Sequence, residues 1–574
     1  MRNGLFSVLP WTVALIVASC QPAPQAAPGG QTQDQAQPAV AQTGRTLRLV
    51  IRAEPASIAG TILIPTGIST GSQRRIFNAG LLLEDGDGVY QPYLAEAVPQ
   101  LNTESWRLFP DGKMEMTYRL RPNLTWHDGT PLTAEDFVFA HRVYESPQFG
   151  VSKALPHVAI DEVTARDSRT ITIRWKQPYP GAAELGPEEF AALPRHILEA
   201  AFDRETETFD SLPYWTTEYV GAGPFAIERW EAGAFIEGAA FKGHALGRPK
   251  IDRVKLTWNA DFNTNLAVLL AGEADMPLDD SIRVEQGLVL EREWTARNAG
   301  TVQYRPHLPR FIQVQHRAEY ANPRAVRDVR VRRALAHAID KGAINETLFE
   351  GKGITSDTLL YPTLGYYSLV DQAAVKYPFD LRRAEQLMRE AGLAQDRDGF
   401  WGSPTDGRLN LEVRNIQSAQ NDAERTIIAD GWRRAGLEVT EDVFTPAQTR
   451  DGQTLGTFRA LSITSAAAVR EGLKIEDYTC ARISAPETRW FGQNRGGWCS
   501  PAYDQAADTF LTTLEPEKRG ALAAQAIRAL TEDLGLIPLH FNPQAIAYAR
   551  AVQGVQVRVP AIDISWNIHE WENR

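Results

Sequence analysis

The first regular pattern is Thr46-Leu47-Arg48-Leu49-Val50-Ile51, where polar and apolar residues alternate before an apolar end, the period of a strand entering a core. Ile62, Leu63 and Ile64 read as a second short extended piece. Residues 72–83 read as a helix with Ile76, Phe77, Leu81 and Leu82 on one side. Glu84-Asp85-Gly86-Asp87-Gly88 is turn chemistry, and it does not continue the ligand ladder of a calcium loop. Alternation returns over residues 114–120. Thr125 to Gly129 then form a turn, and Thr133 heads a helix through Phe137 and Phe139, with Asp136 at the third position where a capping box places its acid. Further strands are expected at 170–175 and 253–258, and amphipathic helices at 264–270 and 329–349. From residue 409 the order repeats: a strand at 409–414, a helix over 423–435 stopped by Gly436, and a strand at 437–443. Residues 500–534 then read as helical and 535–539 as a strand.

Strands and helices interspersed in this way define a mixed α/β to α+β class. A chain of 574 residues is too long for one hydrophobic core and predicts two to four domains. Its 43% hydrophobic and 23% charged residues are those of a globular protein. The net charge of −11 excludes a nonspecific electrostatic grip on nucleic acid or on an anionic membrane surface. No short period marks a solenoid or propeller.

The first 19 residues carry one charge, Arg2, ahead of an apolar run shorter than the roughly 20 residues that span a bilayer, the pattern of a secretory signal. Val17-Ala18-Ser19-Cys20 resembles the lipobox of bacterial lipoproteins, which implies lipidation of Cys20 as the new N-terminus. Residues 20–45, rich in Gln, Pro, Ala and Gly, are expected to form a flexible tether. In an exported chain the remaining pair, Cys480 and Cys499, is expected to form a disulfide, closing a loop worth about 3 kcal/mol in the chain-entropy model. Zinc is a poor rival at this spacing without a histidine pair.

Several blocks point to a family. Pro92 to Glu96, Tyr118 to Pro122, and above all Trp126-His127-Asp128-Gly129-Thr130-Pro131-Leu132-Thr133-Ala134-Glu135-Asp136-Phe137-Val138 resemble the signature of the dipeptide-, oligopeptide- and nickel-binding solute-binding proteins that serve ABC importers. Leu193 to Leu198, Gly221 to Phe225, Gly272 to Asp275, Val329 to Asp340 and Ile537 to Leu539 follow in the expected order. The resemblance implies a bilobal periplasmic-binding-protein fold with hinge-linked lobes and an extra inserted domain. By analogy the first lobe takes residues 46–85, 215–305 and 535–574, the inserted domain 86–214 and the second lobe 306–534.

The same resemblance directs attention to ligand contacts. Relatives that bind free peptides place an Asp ahead of the disulfide loop to pair with the ligand's ammonium, but the matching stretch here, Leu461 to Arg470, contains no acid. Two readings stay open. Either the pocket takes a ligand without a free amine, hydrogen-bonded by Ser462, Thr464 and Ser465, or another carboxylate such as Glu471 or Glu476 replaces the Asp. Within the disulfide loop Arg495 and Trp498 offer a donor fork and an aromatic plate, although Trp498 could equally shield the disulfide. In the first lobe the loop Pro65 to Gly71 lies where family members line the cleft, which makes Thr66, Ser69 and Thr70 candidates.

Three rivals deserve comparison. Gly67-Ile68-Ser69-Thr70-Gly71 matches a nucleophile elbow, which makes a secreted serine hydrolase using Ser69 with Asp357 and His540 a rival reading, although so short a pattern arises by chance. Nickel binding finds no HxH or HExxH cluster, His127, His141, His196 and His337 being dispersed. An oligosaccharide could stack on some of the 14 Trp. The expectation is a non-catalytic peptide-binding protein without cofactor or metal, monomeric and lipid-anchored in the cell envelope. Its partners would be a peptide or other small solute and an ABC permease with its ATPase subunits, and not nucleic acid. The chain has no GxxxxGK[ST] loop of its own.

Overall fold

The computed structural model describes residues 45–63, 70–404, 407–445, 447–467, 469–557 and 563–574. The signal segment, Cys20 and nearly all of the tether lie outside the described residues, as do Thr66 and Ser69.

Three larger sheets organise the described chain. The first has five strands in the order Met276–Pro277, Thr46–Ile51, Arg253–Trp258, Phe235–Ala240 and Phe225–Glu231, with Thr46–Ile51 parallel to both of its neighbours. An antiparallel sheet of Trp106–Leu108, Met114–Arg119, Thr170–Trp175 and Ile160–Asp167 is inserted in the chain before Phe225. The two share one core, in which Leu47, Leu49 and Leu256 cluster with Met116, Ile171 and Trp175. The third sheet has six strands: Ile354–Thr355, Leu536–Ala549, Gly300–Val314, Leu461–Ser465, Asn410–Ile416 and Glu438–Phe444. Its core of Leu411, Val413, Trp432, Ile463 and Ile537 is separate.

Gly300–Val314 and Leu536–Ala549 link the two halves. They pair antiparallel from Gly300 opposite Ala549 to Gln313 opposite Leu536, and the register shifts between Pro306 and Pro309. Pro306 faces Pro543 at that point, so the ladder loses donors on both strands where the chain crosses. Residues 536–541 pair within the six-stranded sheet, and the same strand runs on through Pro543 to pair with residues 300–306.

Beside this crossing, the helix Ala419–Arg434 contributes Glu424, whose side chain is 0% exposed. Its carboxylate accepts one hydrogen bond from Arg310 on one crossing strand and one from His540 Nε2 at 2.8 Å on the other. Burial alone would raise the carboxyl pKa, but the Arg310 charge and the two hydrogen bonds outweigh it and hold the group at about 2.

Most of the expected elements are present, and the differences have local causes. The helix expected over 72–83 is only Gly71–Arg75. Asn78 Nδ2 donates to the Arg74 carbonyl at 2.8 Å, and Leu82–Glu84 pairs instead with Tyr90–Pro92. The stretch 329–349 is two helices, Val329–His337 and Lys341–Phe349, because the Asp340 carboxylate accepts the Ala343 N–H at 2.9 Å and caps the second. Pro516 likewise starts a new helix, Pro516–Asp533, after Pro501–Thr512. Ile62 is buried in a bend and not in a strand.

Replacing Glu424 with Ala strands Arg310 in the interior, and Glu424→Ala is expected to lower the unfolding free energy by about 3–5 kcal/mol at neutral pH. A carboxyl depressed from 4.5 contributes its full stability above that value and loses it as pH falls through about 2. Urea denaturation at stepped pH should therefore show the gap between wild type and variant narrowing below pH 4.5.

Candidate functional site

A cavity of about 520 Å³ lies between the two halves. Its volume is in the range of small-molecule sites, about 300–1,000 Å³. On the first-lobe side it is lined by Arg75, Glu84 and Tyr90, by the loop carrying Glu184, Glu188 and Glu189, and by Asp563. The opposite wall carries Arg470, Glu471, Glu476 and Arg519.

Local sequence explains the first wall. The loop after Pro180–Ala183 is pinned to the first lobe, with Leu82 N–H donating to the Leu185 carbonyl at 3.1 Å and Ala191 N–H to Thr61 Oγ1 at 2.9 Å. Gly60 and Gly80 permit this approach, because a Cβ at either would come within 2.4 Å of the Pro187 backbone. Arg75, ending its short helix, is 8% exposed and held through Nε by Asp563, leaving Nη1 without an acceptor. Arg74 Nη2 meets Glu188 at 3.2 Å.

On the second wall, Tyr361 N–H holds the Glu471 carbonyl at 3.0 Å, and Gly472 adopts a φ of +101° in a tight turn bridged by Val469. The turn projects Arg470 across the cleft. Its guanidinium pairs with Glu84 at 3.1 Å and with Glu184, donates to the Gly88 carbonyl at 2.6 Å, and lies 5.2 Å from the centre of the Tyr90 ring. The two halves are thus tied by one side chain at the cavity edge. Arg519 and Lys474 stand 3.9 Å and 3.6 Å from Glu471 and Glu476.

Acids outnumber bases on this lining, seven carboxylates (Glu84, Glu184, Glu188, Glu189, Glu471, Glu476, Asp563) against four cations (Arg75, Lys474, Arg470, Arg519). Burial, then repulsion from Asp563, pushes Glu188 up to about 7. Burial, then repulsion from Glu188, pushes Glu189 up to about 8.

The candidates read from sequence are placed mostly elsewhere. Thr70 is buried, its carbonyl accepting the Arg74 N–H. Ser462, Thr464 and Ser465 pair with Gln313, Phe311 and Arg310 in the central region of the six-stranded sheet. Arg495 is fixed through its backbone N–H to Gln313 Oε1 at 2.9 Å. Trp498 is 2% exposed, donates its indole N–H to Asp533 at 2.6 Å and packs edge-on to Tyr503, so it closes the core near the Cys480–Cys499 disulfide. None of these six lines the cavity, whereas Glu471 and Glu476 both do. Glu84, Glu184, Glu188, Glu189 and Asp563 escaped the sequence reading. The adjacent acids behind Gly186-Pro187 were the available signal, but nothing local indicates that they face a cleft.

The rival chemistries meet different surroundings. His540 is bound to Glu424 and Asp357 to Lys341 at 2.7 Å, so the acid and base nominated for Ser69 are engaged with other partners. His127 contacts the Gly223 carbonyl, His196 the Asp128 carboxylate and His337 the Pro378 carbonyl, while His141 stands 3.4 Å from Glu145. Among the described residues no group of three metal-binding side chains gathers.

Residues 96–466 match the profile of the bacterial extracellular solute-binding proteins, family 5 middle region, and the chain belongs to this family. It is 26% identical to the dipeptide-binding protein of Escherichia coli over 373 residues, which cover 60% of this chain and 62% of that protein, just under two thirds of the relative's length. Its fold is similar to that of the oligopeptide binding protein from Thermus thermophilus complexed with a pentapeptide. There the TM-score is 0.68 at 20% identity, covering 92% of this chain and 96% of that one. For the ABC transporter substrate binding protein CtaP from Listeria monocytogenes the TM-score is 0.73 at 17% identity, covering 92% and 99%. These structures establish the bilobal fold.

A carboxyl whose pKa is raised by folding contributes stability below its unfolded value of 4.5 and loses it as pH rises through the folded value, about 8 for Glu189. Glu189→Gln is therefore expected to match wild type near pH 4.5 and to exceed it by about 2 kcal/mol above pH 8. The figure is below full linkage because the side chain is only partly buried. Thermal melts at the two pH values measure it.

Proposed function

We propose that this protein captures short peptides between its lobes and delivers them, as a monomeric extracytoplasmic component without catalysis of its own, to an ABC permease powered by separate ATPase subunits. The observation that carries the reading is the interlobe cavity, walled by both halves and bridged by Arg470, in a chain of the solute-binding family. Similarity to the dipeptide-binding protein of Escherichia coli supports peptides as the ligand class. Polar groups on both walls suit a ligand rich in amides and charges, which would favour the state in which the lobes meet. The sugar alternative loses ground, because the described lining contains no Trp, and Trp175, Trp215, Trp401, Trp432 and Trp571 are fully buried in the cores.

In the same reading, cleavage after Ser19 leaves a lipidated Cys20 and a tether that keeps the binding body beside the membrane. No helix among the described residues is long and apolar enough to cross a bilayer.

Native mass spectrometry of the mature protein, followed by denaturation, is expected to release short peptides; release of a sugar would replace the peptide assignment. Mass spectrometry of the membrane fraction is expected to find acylated Cys20 as the N-terminus, and a soluble mature form beginning elsewhere would remove the anchor.

A further inference from the structure

We infer that Glu189 is the cation-reading group of the cleft, receiving an ammonium or guanidinium of the ligand; this rests on the peptide-capture reading and specifies where in the cavity charge is recognised. The nearby charges do not balance. Around the first-lobe wall stand five carboxylates, Glu84, Glu184, Glu188, Glu189 and Asp563, against three guanidinium groups, Arg74, Arg75 and Arg470.

Each of those arginines is already engaged. Arg75 holds Asp563. Arg74 donates to the Gly60 carbonyl at 2.5 Å and to Glu188, and Arg470 spans Glu84 and Glu184. Glu189 is the carboxylate left over. Among the described residues it forms no ion pair, and its Oε2 is shut off from solvent without a hydrogen-bond partner. Burial of the carboxyl keeps it mostly protonated at neutral pH, and a cation arriving beside it would favour the ionised form.

Two further features suit such a ligand. Arg75, nine-tenths buried and on the same lining, leaves Nη1 without an acceptor, a donor available to a carbonyl beside the incoming cation. Tyr90 and Tyr179 also line the cavity and offer ring faces to a charged head or an alkyl stem. Glu471 and Glu476 are weaker choices, since each already stands opposite a cation of its own wall.

The positive group could be the peptide's own α-ammonium or a basic side chain, and three probes separate the sources. Isothermal titration of ligand-stripped mature protein would use trialanine, N-acetyl-Ala-Lys-Ala and N-acetyl-trialanine, with wild type and Glu189→Gln. Wild type is expected to bind at least one cationic probe about tenfold or more tightly than N-acetyl-trialanine, and the better of the two identifies the source. In Glu189→Gln this preference should shrink to about threefold or less, while thermal melting at pH 7 confirms that the variant is folded. Equal binding of all three probes by wild type, or an unchanged preference in folded Glu189→Gln, would overturn the inference and leave peptide capture standing. Binding of none of them would overturn both.

Discussion

Everything that this protein can do with a ligand depends on how two strands cross between its halves. Gly300–Val314 and Leu536–Ala549 pair along nearly their whole length, and the pairing is interrupted where Pro306 meets Pro543. Backbone hydrogen bonds make such a ribbon stiff, and proline removes donors from it. The break falls between two cores, so bending there disturbs neither. Immediately beyond it, Arg310, Glu424 and His540 lock the two strands to one helix in a buried charged cluster. A ladder interrupted by proline beside a buried charged cluster has the form of a hinge, in which a few element residues absorb the bending.

The cleft is built on the opposite principle. The cavity wall leaves Glu189 Oε2 and Arg75 Nη1 without hydrogen-bond partners, and burial, added to by repulsion between neighbouring acids, raises Glu188 to about 7 and Glu189 to about 8. Ionising such an acid in the folded state is costly, and a cation bound beside it would offset that cost. Arg470 illustrates the same economy of charge, since its guanidinium neutralises two carboxylates only when the walls are together. Its engagement couples lobe position to cavity electrostatics.

The inserted sheet contributes more than bulk. By sharing a core with the first lobe it becomes part of a rigid wall, and the loop bearing Glu184, Glu188 and Glu189 is pressed against Gly60 and Gly80 of that lobe. The first-lobe side therefore carries five of the seven carboxylates that line the cavity, whereas the stretch ahead of the disulfide loop, acid-free from Leu461 to Ala467, supplies interior strand.

The sequence by itself determined the class, most strands and helices, the family and the cysteine pair, because period, turn residues and motif blocks are local properties. Thr46–Ile51, Met114–Arg119, Thr170–Trp175 and Arg253–Trp258 all show their alternation or apolar run directly. It missed Gly300–Val314, whose prolines disguise a strand, and it joined helices that Asp340 and Pro516 divide. The lining of the cavity was the least legible part. Ser462 and Trp498 have chemistry fit for a ligand yet are consumed by sheet and core, while Glu189, unremarkable in its local context, faces the cavity. Only tertiary structure could decide this, because burial and charge balance are sums over segments far apart in the chain: residues 75, 189, 470 and 563 meet only after both lobes have folded and the crossing strands have brought them together.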